Sequence, residues 1–249
     1  MTLAPAPGLY AGKQAFETPY AMRREGTTAK RCAGVERPAA IGHTRSMLLG
    51  ILTDIHDDIP RLRHALAELA AARVDQIVVL GDVYDAFVRE PRGTQIADML
   101  TAAMARMIWG NHDFALCRNP PEAAHAIYPP PVLDFLATFQ PSWQVENCHF
   151  SHVEPWLDLN KREDLWTFNG HPNTAERAAR SFAAVPQRFI FLGHFHRWLL
   201  TSPAGPVRWD ATGPISLADQ DRCLVIVAPL FAGHAALFDT ESCVLTPLT

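Results

Sequence analysis

The chain has 249 residues, 48% of them apolar and 19% charged, with a formal net charge of −4. That is a globular composition able to bury a core, long enough for one large or two small domains, and without the basic excess of a nucleic-acid binder. The five cysteines, Cys32, Cys117, Cys148, Cys223 and Cys243, are odd in number, scattered, and form no C-x-x-C pair; this argues against a disulfide framework and for reduced thiols in a cytoplasmic protein.

Residues 1–46 stand apart. They carry seven Lys or Arg against three Glu, so this part is +4 and the remainder −8. No helical or strand period is visible, and the first residues lack the basic start and apolar core of a signal peptide. The segment reads as a poorly ordered extension. The alternative is an arm that packs through Tyr10, Phe16 and Tyr20. Met47, directly before the first strand, is a candidate start of translation.

From Met47 the pattern changes. The run 47-MLLGILT-53 is continuously apolar, as expected of a strand covered on both faces. Pro60 opens a helix over 60–73 with Leu62, Leu66 and Leu69 on one face. A strand at 76–80, a helix at 94–103 and a strand at 106–109 complete a β-α-β-α-β unit, which implies a parallel sheet with helices on its faces. The Pro-rich stretch 119–131 reads as loop and 131–139 as helix. Further along, 148–153 reads as a strand, 174–185 as a helix and 187–193 as a buried strand. Strands at 197–202, 206–210, 222–228, 234–239 and 242–247 follow, joined by short connections of the hairpin type. The most apolar run, 223–238, is interrupted by Pro229 and His234, so no membrane span is expected.

The polar residues fall at the strand ends. The first strand is followed by 54-DIH-56, the second by 81-GDVYD-85, the third by 110-GNHD-113, the fourth by His152 and the fifth by 193-GHFH-196. In an open parallel sheet these exits share one edge, where such folds bind ligands. Carboxylate, imidazole and amide oxygen are ligands for divalent Mn, Fe, Zn, Co or Ni. Asp54 and His56, like His194 and His196, are two apart on an exit read as extended, which points both side chains of each pair the same way. Asp54, His56, Asp82, Asn111, His152, His194 and His196 are too many donors for one ion and suit two ions sharing a carboxylate, the arrangement that clamps an in-line displacement at phosphorus. His43, His64, His125, His149, His171 and His234 read as surface or loop residues.

The order D-x-H, G-D-x-x-D, G-N-H-[DE], H, G-H-x-H resembles the calcineurin-like metallophosphoesterase superfamily, with every motif present between residues 54 and 196. The resemblance implies an α/β sandwich of four layers, αββα, with two mixed β-sheets and a dinuclear centre at one sheet edge. It implies that Asp54, His56 and His196 hold one ion, that Asn111, His152 and His194 hold the other, and that Asp82 bridges them. His112 would be the catalytic imidazole and Asp85 its hydrogen-bonding partner, with Asp113 structural. Manganese is the first choice of metal, then iron, zinc, nickel or cobalt. The implied activity is hydrolysis of a phosphomonoester or phosphodiester, of a small molecule or nucleotide, by a metal-bridging hydroxide.

Two departures bear on the substrate. The segment 81-GDVYDAF-87 lacks the Arg-Gly of the protein serine/threonine phosphatases, and the GNH motif ends in Asp rather than Glu. The chain is nearer to the small bacterial phosphodiesterase branch, although Asp57 stands where Gly or Ser is often found. A dinucleoside polyphosphate or nucleotide pyrophosphohydrolase and a non-catalytic metal-binding scaffold are the alternatives. The acidic domain speaks against a nucleic-acid substrate.

Overall fold

The computed structural model describes residues 46–85 and 93–249. The expected N-terminal extension lies outside these but for Ser46, as do His43, Cys32 and residues 86–92.

Two six-stranded sheets are stacked between helices. The first contains β1 (Leu48–Leu52), β2 (Gln76–Val79) and β3 (Arg106–Met107), all parallel, then β11 (Ala235–Asp239), β12 (Val244–Leu248) and β9 (Ile215–Ser216), in the order β3-β2-β1-β11-β12-β9. The second has β4 (Ser142–Val145), β5 (Cys148–Ser151), β6 (Phe189–Leu192), β10 (Cys223–Ile226), β7 (Leu199–Ser202) and β8 (Gly205–Pro206), in the order β4-β5-β6-β10-β7-β8. Each sheet is mixed: β5, β6 and β10 run parallel, and antiparallel strands flank them. The expected four-layer αββα sandwich is therefore the fold observed.

Strand alternation assigns the layers. Leu49, Ile51, Val78 and Leu80 of the first sheet meet Phe150, Phe189, Phe191 and Val225 of the second in one buried cluster. Phe150 stacks on Phe191 at 5.1 Å, and Phe238 of β11 reaches across to Phe189 and Phe191 at 5.0 Å each. The other face of the first sheet packs Leu52, Ile77 and Val79 under α1 (Ile59–Ala71), α2 (Gly93–Ala102) and α5 (Pro130–Leu136). The other face of the second packs Ile190, Leu192, Leu224 and Ile226 under Ala178 and Phe182 of α7 (Ala175–Ala184). Helix starts are set locally: the Asp58 side chain caps α1 by accepting from Arg61 N at 3.0 Å, and Thr174 caps α7 by accepting from Arg177 N at 3.2 Å.

Three expectations are corrected. The stretch 119–131 is not all loop, because α4 (Glu122–Ile127) lies inside it, preceded by α3 (Phe114–Arg118). The strands at 222–228 and 234–239 do not form a hairpin. β10 lies between β6 and β7 in the second sheet, whereas β11 pairs with β1 in the first. Both are buried, so their apolar pattern carries no information about which neighbour they take. His149 is not a surface residue. It is 2% exposed on β5, and its Nδ1 lies 3.3 Å from Gln144 Nε2.

Burial pushes His149 down from 6.5 to about 4. Between these values the unfolded chain binds a proton that the native state refuses, so stability is lost as pH falls through that window. The loss amounts to at most about 3 kcal/mol. Urea unfolding of wild type and His149→Leu at pH 7 and pH 4.5 should show the variant losing less stability on acidification. Equal losses would contradict a neutral buried imidazole.

Candidate metal centre

The exits of β1 and β2 continue to pair beyond the last strand residues. Asp54 N donates to Gly81 O at 3.0 Å, and Ile55 N and His56 N both donate to Asp82 O, at 2.8 and 3.1 Å. This zipper holds a backbone that is not extended. Asp54, His56, Asp82, His194 and His196 all have positive φ, between 46° and 67°. Side chains two apart converge here because the chain curls through the left-handed region, not because it runs straight. That conformation costs of order 1–3 kcal/mol per residue, and clusters of it mark functional sites.

Glycines admit the close approaches. A Cβ on Gly110 would lie 2.0 Å from Asp82 Oδ1 and 2.5 Å from Asp82 N, and one on Gly193 would lie 2.0 Å from Thr53 Oγ1. The glycine before Asn111 and the glycine before His194 thus make room for other strands' polar groups.

Asp113 ties two exits together from below. It is fully buried and accepts from Val83 N at 3.1 Å, Tyr84 N at 3.0 Å and Gly110 N at 3.2 Å. Burial and the nearby Asp82 raise it to about 7, against the pull of these three amides. With three backbone amides on it, Asp113 braces the loops, in keeping with the structural place that the family resemblance implies.

Above it the donors converge. The ligand-type atoms of Asp54, His56 and His196 lie within 4.8 Å of one another, as do those of Asp54, Asp82 and His152, and those of His56, Asp82 and His112. Asn111 Oδ1 is 2.9 Å from both His152 Nε2 and His194 Nδ1. Asp82 Oδ2 is 3.3 Å from His152 Nε2 and 3.9 Å from His56 Nε2. His196 Nε2 is 3.1 Å from Asp54 Oδ1. All seven candidate ligands are therefore in one cluster, with Asp82 at its centre.

His112 and Asp85 stand at the rim. The His112 backbone N–H donates to Asp82 Oδ1 at 2.9 Å, and His112 Nδ1 is 3.4 Å from Asp85 Oδ1. That is an ion-pair separation, longer than a hydrogen bond. The GNHD tetrapeptide forms a tight turn, so Asn111 and His112 diverge because the chain turns. Asn111 is 7% exposed, and the His112 side chain 17%.

The donor set fits cations. His152 Nδ1 lies 2.7 Å from Leu80 O, which only accepts, so the ring proton is on Nδ1. Its Nε2 lone pair then faces Asn111 Oδ1 and Asp82 Oδ2, and only a proton or a cation can sit among those three atoms. Burial opposes charge on His152, but Asp82, Asp54 and the Leu80 carbonyl outweigh it and raise the group to about 9. Burial alone would also raise Asp82, yet the charge and hydrogen bond of His152 hold it far below the usual carboxylate range. Burial, joined by the charge on His152, pushes His194 down to about 4. Burial likewise lowers His56. The hydrogen bond to Asp54 raises His196. The buried His56 Nε2 and His194 Nε2 have no hydrogen-bond partner among the described residues.

Some contributors carry no motif. Thr53 Oγ1 donates to Asp54 Oδ2 at 2.6 Å and fixes that carboxylate. Phe231 packs edge-on against His56 and His196, at 5.4 and 5.0 Å. Trp166 lies 5.1 Å from His112 and Phe168 lies 6.1 Å from His194. Outside the donor cluster, Glu154 is buried and bidentate to Arg177 at 2.8 Å.

Comparison with known proteins agrees with this geometry. The calcineurin-like phosphoesterase superfamily domain matches residues 47–215. The chain belongs to that superfamily. Its fold is similar to that of a metallophosphoesterase from Sphaerobacter thermophilus, with TM-score 0.63, 20% identity, and 82% of this chain and 88% of that one covered. It is also similar to a protein from Thermus thermophilus, with TM-score 0.51, 10% identity, and 82% and 98% covered. Curated proteins give no match. Among the described residues no helix is long and apolar enough to cross a membrane, and Cys117, Cys148, Cys223 and Cys243 are free thiols.

Because Gly110 has no room for a methyl group, Gly110→Ala should push Asp82 out of place. Overpacking of this kind costs about 1–3 kcal/mol. Thermal melting should fall by several degrees, and calorimetric binding of divalent ions should weaken. Wild-type values for both would refute the close packing of these two exits.

Proposed function

We propose that this phosphoesterase superfamily member hydrolyses phosphoesters of small molecules or nucleotides with two divalent cations, manganese first among them. The observation that carries the reading is the central carboxylate: Asp82 Oδ2 lies within reach of both His56 Nε2, at 3.9 Å, and His152 Nε2, at 3.3 Å. In this reading Asp54, His56 and His196 would hold one cation and Asn111, His152 and His194 the other, with Asp82 available to both. Bound cations supply Lewis acidity, drawing charge from phosphoryl oxygens and lowering the pKa of water.

The protein's own groups do the rest. Buried Asp54, Asp82 and His152 exclude bulk water from the floor. Asp85 faces Nδ1 of His112 and favours a proton there, which orients the ring. His112 then stands at the rim as the group that gives a proton to the departing oxygen. A non-catalytic scaffold is the weaker reading, since no donor of the set and neither rim residue is missing.

The metal content is checked by elemental analysis and anomalous diffraction of Mn²⁺-loaded protein. Two ions per chain are expected, with activity abolished by chelation and restored by Mn²⁺, and Asn111→Ala should lower both content and rate. A single fully ligated ion with Asp82 touching nothing else would sink the proposal.

His112→Asn should keep both ions and reduce turnover by about 10²–10⁴-fold. The reduction should be larger for alkyl than for p-nitrophenyl leaving groups, because a poor leaving group depends more on the proton it receives. Loss of an ion, or equal loss on both substrates, would exclude the acid role.

A further inference from the structure

Large apolar side chains are seldom left in water without a use when they cluster. Among the described residues only Met104, Ile127, Trp166 and Phe168 are large, apolar and exposed. Two of these four lie in one short segment at the mouth of the centre, directly after α6 (Arg162–Leu165). Trp166 is 41% exposed and Phe168 54%.

They divide the centre between them. Trp166 stands 5.1 Å from the ring of His112, which belongs with His56 and Asp82. Phe168 stands 6.1 Å from the ring of His194, which shares Asn111 Oδ1 with His152. An ester bound at this cluster would thus meet one aromatic ring beside His112 and another beside His194.

The segment is held in place. Phe168 packs on Phe195 at 5.7 Å and on His171 at 5.4 Å. The next residue, Asn169, accepts from Arg177 Nη1 at 2.5 Å, and Arg177 is itself gripped by buried Glu154. Rings fixed before binding lose little entropy when a ligand stacks on them.

Resting on the phosphoesterase reading above, we propose that Trp166 and Phe168 select the substrate, and that its organic part carries a flat nucleobase. Every base has a π-face that can stack on an aromatic side chain. The −8 charge of residues 47–249 favours a single nucleotide over a nucleic-acid strand.

The test uses substrates that differ only in the base: adenosine 5′-phosphate against ribose 5-phosphate, and the methyl ester of each. With Mn²⁺-loaded wild type, kcat/KM should favour the adenosine compound by about 10-fold or more, mainly through KM. In Trp166→Ala and Phe168→Ala that preference should fall several-fold. Trp166→Phe should retain most of it. Calorimetric binding of adenosine and ribose 5′-phosphorothioates provides a readout independent of turnover. Turnover with no base preference, or a preference untouched in both Ala variants, overturns the aromatic rim alone. Base-dependent binding that the Ala variants weaken, without turnover of any ester, upholds the rim and overturns the hydrolase reading. Neither turnover nor binding overturns both.

Discussion

Asp82 is a carboxylate buried to 2% exposure at the end of a central strand, and the centre is arranged around its charge. An isolated carboxylate there would be very costly. His152 lies against one of its oxygens, and the His112 backbone N–H donates to the other. Its own carbonyl receives two amides from the neighbouring exit, which fixes Asp54 and His56 beside it. Removing any of these leaves a buried charge or an unpaired amide, so the exits of β1, β2, β3 and β5 are coupled through one residue.

That coupling explains the strain and the glycines. Five of the seven donors sit at positive φ, a conformation that does not persist unless the surroundings over-determine it. The surroundings here are the pairing of the β1 and β2 exits and the Asp113 carboxylate, which collects three amides from two loops. Gly110 can be nothing larger because the charge it approaches is the one the centre is built on. The sandwich supplies the stiffness behind this, through aromatic contacts from Phe238 to Phe189 and Phe191 that join the sheets.

The two halves of the centre come from opposite sheets. Asp54, His56, Asp82 and Asn111 leave the first, and His152, His194 and His196 leave the second. Stacking two sheets with their parallel strands ending at the same edge is what brings carboxylates to imidazoles. The connection from β10 to β11 crosses between the sheets there, with Leu230 N bonded to Thr53 O at 2.8 Å and Phe231 delivered against His56.

The sequence alone determined the strand exits and the chemistry placed on them. Apolar runs such as 47-MLLGILT-53 are forced to be buried strands by the hydrophobic effect, and polar triplets directly behind them are forced to the sheet edge. The seven candidate donors were legible for that reason, whereas His112 was singled out only by the family resemblance. The tertiary structure alone decided what depends on a neighbour distant in the chain. It put β10 and β11 in different sheets, since a strand buried on both faces carries no mark of its partner. It buried His149, and it gave the donor pairs convergence by curling the backbone rather than extending it. It also brought Thr53, Trp166, Phe168 and Phe231 to the centre. Their residue types are common in cores and loops, and only proximity in three dimensions, not local pattern, makes them part of a site.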